Sequence, residues 1–392
     1  MLSATSRTMR TGACRIVPRA ASIVTGRCPN PSPSRSSFDR LYSLNTVNAR
    51  SLTTTRSLGV AITNPNPPLD KKNSSNDVPA RVALIGARGY TGQALIELLD
   101  KHPYMDLRHV SSRELAGQEL EGYTKRKIIY ENLSAEECAQ LDVDAYVLAL
   151  PNGVCKPYVD AIDQAEKGKD KKSVIVDLSA DHRFDDSWAY GLAELTKRSK
   201  IAQATRISNP GCFATGAQVA LAPIVDLIGS TPTVMGISGY SGAGTKKSLK
   251  NDVAYLTGGV LPYSLTGHIH EREISHHTTD VAFIPHVSSW FRGIHLSISI
   301  PLNKEMNSRD IRNIFQDRYA GEKLIKLVGE PYVKDIQNKH YVEVGGFAVD
   351  KSGKRVVICA TIDNLNKGAS TQCLQNMNLA LGFAEYEGIP LD

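Results

Sequence analysis

No apolar run in this chain of 392 residues approaches the ~20 needed for a helix to span a bilayer, so a transmembrane helix is excluded. Cysteine is scarce: seven residues, at 14, 28, 138, 155, 212, 359 and 373, with no C-x-x-C pair among them. That scatter excludes a zinc knuckle and a disulfide framework, and it fits reduced thiols in a reducing compartment. Acids are nearly missing from the first sixty residues, which hold nine Arg and no Lys against Asp39 alone, a net +8. The whole chain carries +6, so everything after residue 60 sums to −2. A body without basic excess argues against nucleic acid and anionic membrane surfaces as partners.

The composition that is present, 41% hydrophobic and 22% charged, is that of a globular protein long enough for two domains and an extension. Residues 1–60, rich in Arg, Ser and Thr, have the composition of an organelle transit segment; a disordered basic tail is the plain alternative. A secretory signal would need a continuous apolar core, and Arg19 interrupts VPRAASIVTG. A potential negative on the matrix side draws in such a segment, which favours the mitochondrion. Residues 61–80, rich in Pro, Asn and Ser without apolar periodicity, read as a linker.

From residue 81 the chain alternates. VALIG, LRHVSS, DAYVLALPNG and KSVIVDLSAD read as buried strands that run into turns. Between the first two, Ala94, Leu95, Leu98 and Leu99 recur at helical spacing up to His102-Pro103. This alternation predicts an α/β fold of Rossmann type, a doubly wound parallel sheet with helices on both faces. Beyond residue 212 the strands lengthen and partly alternate, as in PTVMGISGYSGAG and RGIHLSISIPL, which predicts a second, mixed α/β domain. The stretch NKGASTQCLQNMNLALGF reads as a closing helix with Cys373, Leu374, Met377 and Leu381 on its apolar side.

Three features carry chemistry. Gly86-x-x-Gly89-x-x-Gly92 lies between the first strand and its helix, where glycines admit a pyrophosphate to the amides of a helix N-terminus. At the end of the second strand an NAD-type fold carries an acid; here stand Ser111, Ser112 and Arg113, which suit the 2′-phosphate of NADP. A solvated turn is the plain alternative.

Second, ISNPGCFATG places Cys212 in the first turn of a helix after Asn209-Pro210-Gly211. A thiol there feels the positive end of the dipole, which predicts a pKa drawn down from ~8.5 towards neutrality; a buried, inert cysteine is the competing reading. A proton partner comes from Gly267-His268-Ile269-His270-Glu271-Arg272-Glu273: on an extended segment His268 and His270 share a side, and Glu273 would orient an imidazole. Two histidines alone make a poor metal site, and no metal is expected.

Third, Gly239-Tyr240-Ser241-Gly242-Ala243-Gly244-Thr245-Lys246-Lys247 reads as an anion-binding loop, a flexible turn being its equal alternative; it does not meet the P-loop pattern.

VALIGARGYTG, HVSSREL, ALPNGV, DLSADHRF, SNPGCFATG, GYSGAGTK, LTGHIHEREI and PHVSSWFRGI follow one another in an order that resembles the N-acetyl-γ-glutamyl-phosphate reductases. These are NADP-dependent enzymes of arginine and ornithine synthesis; more distantly the chain is similar to aspartate-semialdehyde dehydrogenase. The resemblance covers residues 81–392. It implies a NADP-binding domain over 81–211, completed by a C-terminal helix within 363–392, and a catalytic and dimerisation domain over 212–362. It also implies reduction by NADPH of N-acetylglutamyl 5-phosphate, through a thioester on Cys212, to the 5-semialdehyde and phosphate. His268 matches the acid/base residue, with His270 and Glu273 in support. Gly86, Arg88, Gly89, Tyr90, Thr91, Gly92, Ser111, Ser112 and Arg113 match the cofactor site, with Asn364 and Gly368 beside the nicotinamide. Arg183, Ser241, Gly242, Gly244 and Arg292 are candidates for the substrate's phosphate or carboxylate. A homodimer or homotetramer follows, in the mitochondrial matrix. Fungal relatives are made behind an acetylglutamate kinase within one precursor, whereas here a transit-like segment leads straight into the reductase; association with a separate kinase is the corresponding expectation.

Overall fold

The computed structural model describes Asn64, Asn66 and residues 78–391. The transit segment expected at 1–60 lies outside the described residues, as does the 61–80 linker apart from Asn64, Asn66 and its last three residues. Asn66 is buried, donating to the carbonyls of Ala193 and Thr196 at 2.6 and 2.8 Å, so this part of the linker is anchored.

Six parallel strands form the first sheet: β1 (Ala80–Ile85), β2 (Met105–Ser111), β3 (Ala145–Leu148), β4 (Val174–Asp177), β5 (Ala189–Tyr190) and β6 (Arg206–Ser208). Their order is β2-β1-β3-β4-β6-β5. The last four residues of β1 and all four of β3 and of β4 are buried. Helices cover both faces of such a sheet, which is why its strands are apolar runs without alternation. The chain leaves β1 to one side for β2 and returns to the other for β3, opening a crevice at the strands' carboxyl ends.

The second sheet is mixed. It comprises β7 (Thr233–Gly239), β8 (Val260–Pro262), β9 (Ala282–Ser288), β10 (Ile294–Pro301), β11 (Ile325–Leu327), β12 (Val342–Val349) and β13 (Arg355–Ile362). The order is β11-β12-β13-β10-β7-β9-β8, with β10 antiparallel to both β13 and β7. Along IHLSISIP burial alternates, with Ile294, Leu296, Ile298 and Ile300 turned into a core they share with the Cys212–Leu221 helix. Each such side chain contributes about 1.5–3 kcal/mol on burial.

The Thr371–Ala380 helix, entered through a single π-turn at Asn366–Ser370, packs Cys373, Leu374, Met377 and Leu379 into the first sheet's core. It is not amphipathic as its sequence predicts: Gln372, Gln375, Asn376 and Asn378 are wholly buried too. Their N–H groups find acceptors inside the fold, Gln375 donating to Glu194 and Glu385 and Asn376 to the Gly191 carbonyl, while Asn376 Oδ1 is buried without a partner.

Candidate active site

The glycine turn follows from sterics. Gly86 has φ +88°, and a Cβ there would stand 2.4 Å from the Ala149 carbonyl oxygen. At Gly92 a Cβ would meet Ala87 at 2.6 Å, so this glycine lets the helix press against the turn. Gly89, the N-cap of the twelve-residue helix Tyr90–Lys101, has no protein atom within 4 Å of its Cβ position. That open cradle, facing helix amides, fits a pyrophosphate. The amides of Gly86 and Ala87 bond the Ser111 carbonyl at 2.9 and 3.1 Å, which sets the end of β2 beside the turn. Ser111 and Ser112 are buried; the Ser111 hydroxyl accepts from Leu133 N–H. Arg113 is exposed, with no ion-pair partner among the described residues. Arg88 pairs with Glu114 and donates to Thr245 of the second sheet's loop at 3.1 Å.

A cleft of about 280 Å³ runs from Gly89–Gly92 across the ends of β3, β4 and β6 to Cys212. Arg183, Ser241, Gly242, Gly244, Asn364 and Gly368 line it with His270. A second cavity of about 220 Å³, lined by Lys250, Tyr263 and His268, lies on the other flank. Cys212, Gly242 and His270 belong to both linings.

Cys212 begins the helix Cys212–Leu221, whose next nine residues are all buried. The helix can lie this close because it carries Gly216 where a Cβ would strike Leu296 at 2.7 Å. Burial pushes the thiol up to about 11, against the Phe213 amide and the Arg183 guanidinium, which pull it down. This corrects the expectation of a pKa drawn towards neutrality. Desolvation by the packed helix outweighs the helix terminus, so the resting residue is a thiol.

The histidines also differ from expectation. They are not on an extended segment: His268 is the N-cap of the Ile269–His277 helix, its Nδ1 accepting from His270 N–H at 3.1 Å. The rings still meet, 4.9 Å apart, because an N-cap side chain folds back over the first turn. With Nδ1 accepting, the neutral His268 carries its proton on Nε2. Burial, then Lys250, holds His268 down to about 4; burial, with Arg183 and His268, holds His270 well below its ordinary value. Both are neutral at pH 7. His270 Nδ1 is buried without a hydrogen-bond partner, and its Nε2 lies against Gly211.

Glu273, expected to orient an imidazole, bonds neither. Its carboxylate, fully buried, accepts from Arg183 Nη1 at 2.9 Å, from the Tyr190 hydroxyl at 2.8 Å and from Gly211 N–H at 2.8 Å. One turn further along the same helix His277 stacks on Tyr190, centroids 3.6 Å apart, and bonds the Arg183 carbonyl. Glu273 thus fixes the residue before the cysteine. Helical spacing, not strand alternation, puts it there.

Arg292 is not brought to either cleft. Asp363, Asn338 and Asn366 hold its guanidinium. Arg183 does line the first cleft, but three of its nitrogens already bond Asn209 O, Glu273 and Leu178 O. Asn364 lines it too, donating to Ser241 Oγ and accepting from Gly293 N–H. Gly368 abuts the nucleophile: a Cβ on it would stand 2.7 Å from Cys212 Cβ. Tyr190, Lys250 and Tyr263 escape sequence reasoning, since each stands in an unremarkable segment and joins the site only through the fold.

The description "Semialdehyde dehydrogenase, NAD binding domain" matches residues 81–204, and "Semialdehyde dehydrogenase, dimerisation domain" matches residues 212–364. The chain is 66% identical over 334 residues to the protein arg-6, mitochondrial, of Neurospora crassa, covering 84% of this chain and 38% of that one. It spans about two fifths of the length of this and two further fungal relatives. It is 48% identical over 320 residues to N-acetyl-gamma-glutamyl-phosphate reductase of Stenotrophomonas maltophilia, covering 80% of this chain and 99% of that one. The solved aspartate semialdehyde dehydrogenase II of Vibrio cholerae superposes with a TM-score of 0.64 at 16% identity, over 78% of this chain and 98% of that one, which shows a shared fold. The expected α/β fold is borne out, and the mitochondrial location agrees with the names of the fungal relatives.

Proposed function

Since this chain belongs to the N-acetyl-γ-glutamyl-phosphate reductase family, we propose that it reduces N-acetyl-L-glutamyl 5-phosphate to N-acetyl-L-glutamate 5-semialdehyde and phosphate. The observation that carries the reading is the meeting of two cavities at Cys212, one reaching the glycine turn and the other holding His268. Residues 81–211, with the returning stretch 363–392, hold NADPH; residues 212–362 carry the chemistry and the contact with a second copy.

In this reading Gly86, Arg88, Gly89, Tyr90, Thr91 and Gly92 hold the pyrophosphate, and Ser111, Ser112 and Arg113 the 2′-phosphate. Asn364 and Gly368 face the nicotinamide. Bound NADPH supplies a hydride to the acyl carbon.

The chain's own residues do the rest. His270, neutral and common to both cavities, takes the proton of the Cys212 thiol, and the sulfur attacks the acyl carbon. The Cys212 and Phe213 amides, which begin the helix and face the sulfur, are the donors that would meet the carbonyl oxygen as it becomes an oxyanion. The acyl C–O bond to phosphate breaks, leaving a thioester on Cys212; His268 steadies the departing oxygen with a hydrogen bond from Nε2, and solvent supplies the proton that the phosphate takes. After reduction the C–S bond breaks, His270 returns its proton to sulfur, and the semialdehyde leaves. Glu273 holds Gly211 and Arg183 throughout, which makes it a positioning residue. Ser241, Gly242, Gly244 and Arg183 border the acyl group.

The test runs the reaction backwards: the full chain with NADP+, phosphate and either N-acetylglutamate 5-semialdehyde or aspartate 4-semialdehyde, followed at 340 nm. NADPH formation with the first alone is expected; formation with the second alone would overturn the assignment. The proposal extends to a homodimer or homotetramer and to association with an acetylglutamate kinase. Light scattering tests the one and co-purification the other.

A further inference from the structure

The second cavity holds a cation without a counter-charge. Lys250 lines it, half-buried, and no carboxylate stands among the lining residues. Among the described residues Lys250 has neither an ion pair nor a hydrogen bond. Its one contact of note is the face of Tyr263, with Nζ 4.9 Å from the ring centroid. The acid nearest in sequence to His268, Glu271, is spent on the Gly267 and Phe283 amides at 3.0 and 2.8 Å.

Nor is the lysine carried on a loose loop. It lies in the turn Leu249–Asn251, where Ser248 and Asn251 cap each other reciprocally. Asn251 Nδ2 also donates to the carbonyls of Gly244 and Lys246, both at 2.8 Å, tying the turn to the serine-glycine loop beside Cys212. The neighbours Lys246, Lys247 and Leu249 are exposed, while Lys250 alone of this basic run joins a cavity. Tyr263, on which it rests, stands edge-on to His268 at 5.7 Å. A partly desolvated ammonium is unfavourable unless an anion meets it, so the arrangement is that of a site completed by its ligand.

We infer that Lys250 is the specificity-determining cation for one anionic end of the substrate, a carboxylate or phosphate oxyanion, bound on the flank of Cys212 away from the cofactor cleft. The inference rests on the proposed reaction, whose substrate has an acyl phosphate at one end and a carboxylate at the other. Arg183 borders the first cleft with most of its guanidinium already bound, which leaves Lys250 as the free cation of the second.

The test uses the full chain and its Lys250→Met and Lys250→Arg variants in the oxidative direction, with NADP+ and phosphate. The aldehydes are N-acetylglutamate 5-semialdehyde and 4-acetamidobutanal, which lacks the carboxylate. Lys250→Met is expected to raise one KM by about 10–100-fold, the usual worth of a charge-assisted hydrogen bond, with kcat changed only a few-fold. Lys250→Arg is expected to restore a large share. If Lys250 holds the carboxylate, the KM for the semialdehyde rises and 4-acetamidobutanal is used as before. If it holds phosphate, the KM for phosphate rises with both aldehydes. Both KM values within twofold of the unaltered chain, with NADPH binding intact, would overturn the inference while leaving the reaction standing. Inactivity of the unaltered chain towards both aldehydes would overturn the reaction and the inference together.

Discussion

Replacing Gly368 by Ala perturbs the nucleophile without touching its chemistry. The added methyl would stand 2.7 Å from Cys212 Cβ, 3.3 Å from Cys212 Cα and 3.0 Å from the Asp363 carbonyl oxygen. Carbon atoms rest at about 3.5–4.0 Å, so roughly 1 Å must be relieved. Asp363 does not give way easily: its carboxylate accepts from the amides of Asn338, Leu365 and Asn366 and pairs with Arg292. The first turn of the Cys212 helix therefore moves. A nucleophile displaced by about 1 Å loses on the order of 10²-fold in rate, and overpacking costs about 1–3 kcal/mol of stability. The assay measures kcat for semialdehyde oxidation together with the thermal midpoint. Gly89→Ala is the companion, since its Cβ meets no protein atom within 4 Å. It is expected to leave the midpoint unchanged and to show its effect in the KM for NADP+. An unaltered kcat in Gly368→Ala, with an unaltered midpoint, would refute the steric reasoning.

Three further expectations follow from the site. Cys212→Ser abolishes turnover and leaves NADPH binding, read by fluorescence, nearly intact; retained turnover would remove the thioester. Because burial holds the Cys212 thiol up to about 11, only a small fraction is thiolate at pH 7. Below that pKa the thiolate fraction rises tenfold per pH unit, so iodoacetamide labelling of Cys212, followed by peptide mass spectrometry, keeps climbing from pH 7 to 10. A plateau below pH 8.5 would restore the dipole-lowered thiol. Arg113→Glu raises the KM for NADPH at least tenfold, about the value of one charge-assisted bond, and changes that for NADH little; equal effects would remove the 2′-phosphate from this residue.

Much of the fold was legible because burial writes itself into periodicity. A parallel strand covered on both faces must be apolar throughout, as VALI is, and a strand with one packed face must alternate, as IHLSISIP does. The glycine turn was legible for a similar reason, since Gly86 and Gly92 are forced by close approach. The closing helix departs from the amphipathic pattern because Gln375 and Asn376 donate to Glu194, Glu385 and a distant carbonyl, partners that local periodicity does not show. The same holds for Glu273 and Arg292, whose charges proclaimed a site but whose partners decided their work.

By itself the sequence determined most of the strands and helices and which residue types can do chemistry, because both depend on neighbours a few positions away. Only the tertiary structure decided protonation and pairing. The resting state of the Cys212 thiol depends on how much water the packed helix excludes, and Glu273 serves Gly211 because the fold brings residues 183, 190, 211 and 273 together. Desolvation and hydrogen bonding are set by what lies across a few ångströms of space, and chain order does not encode that distance.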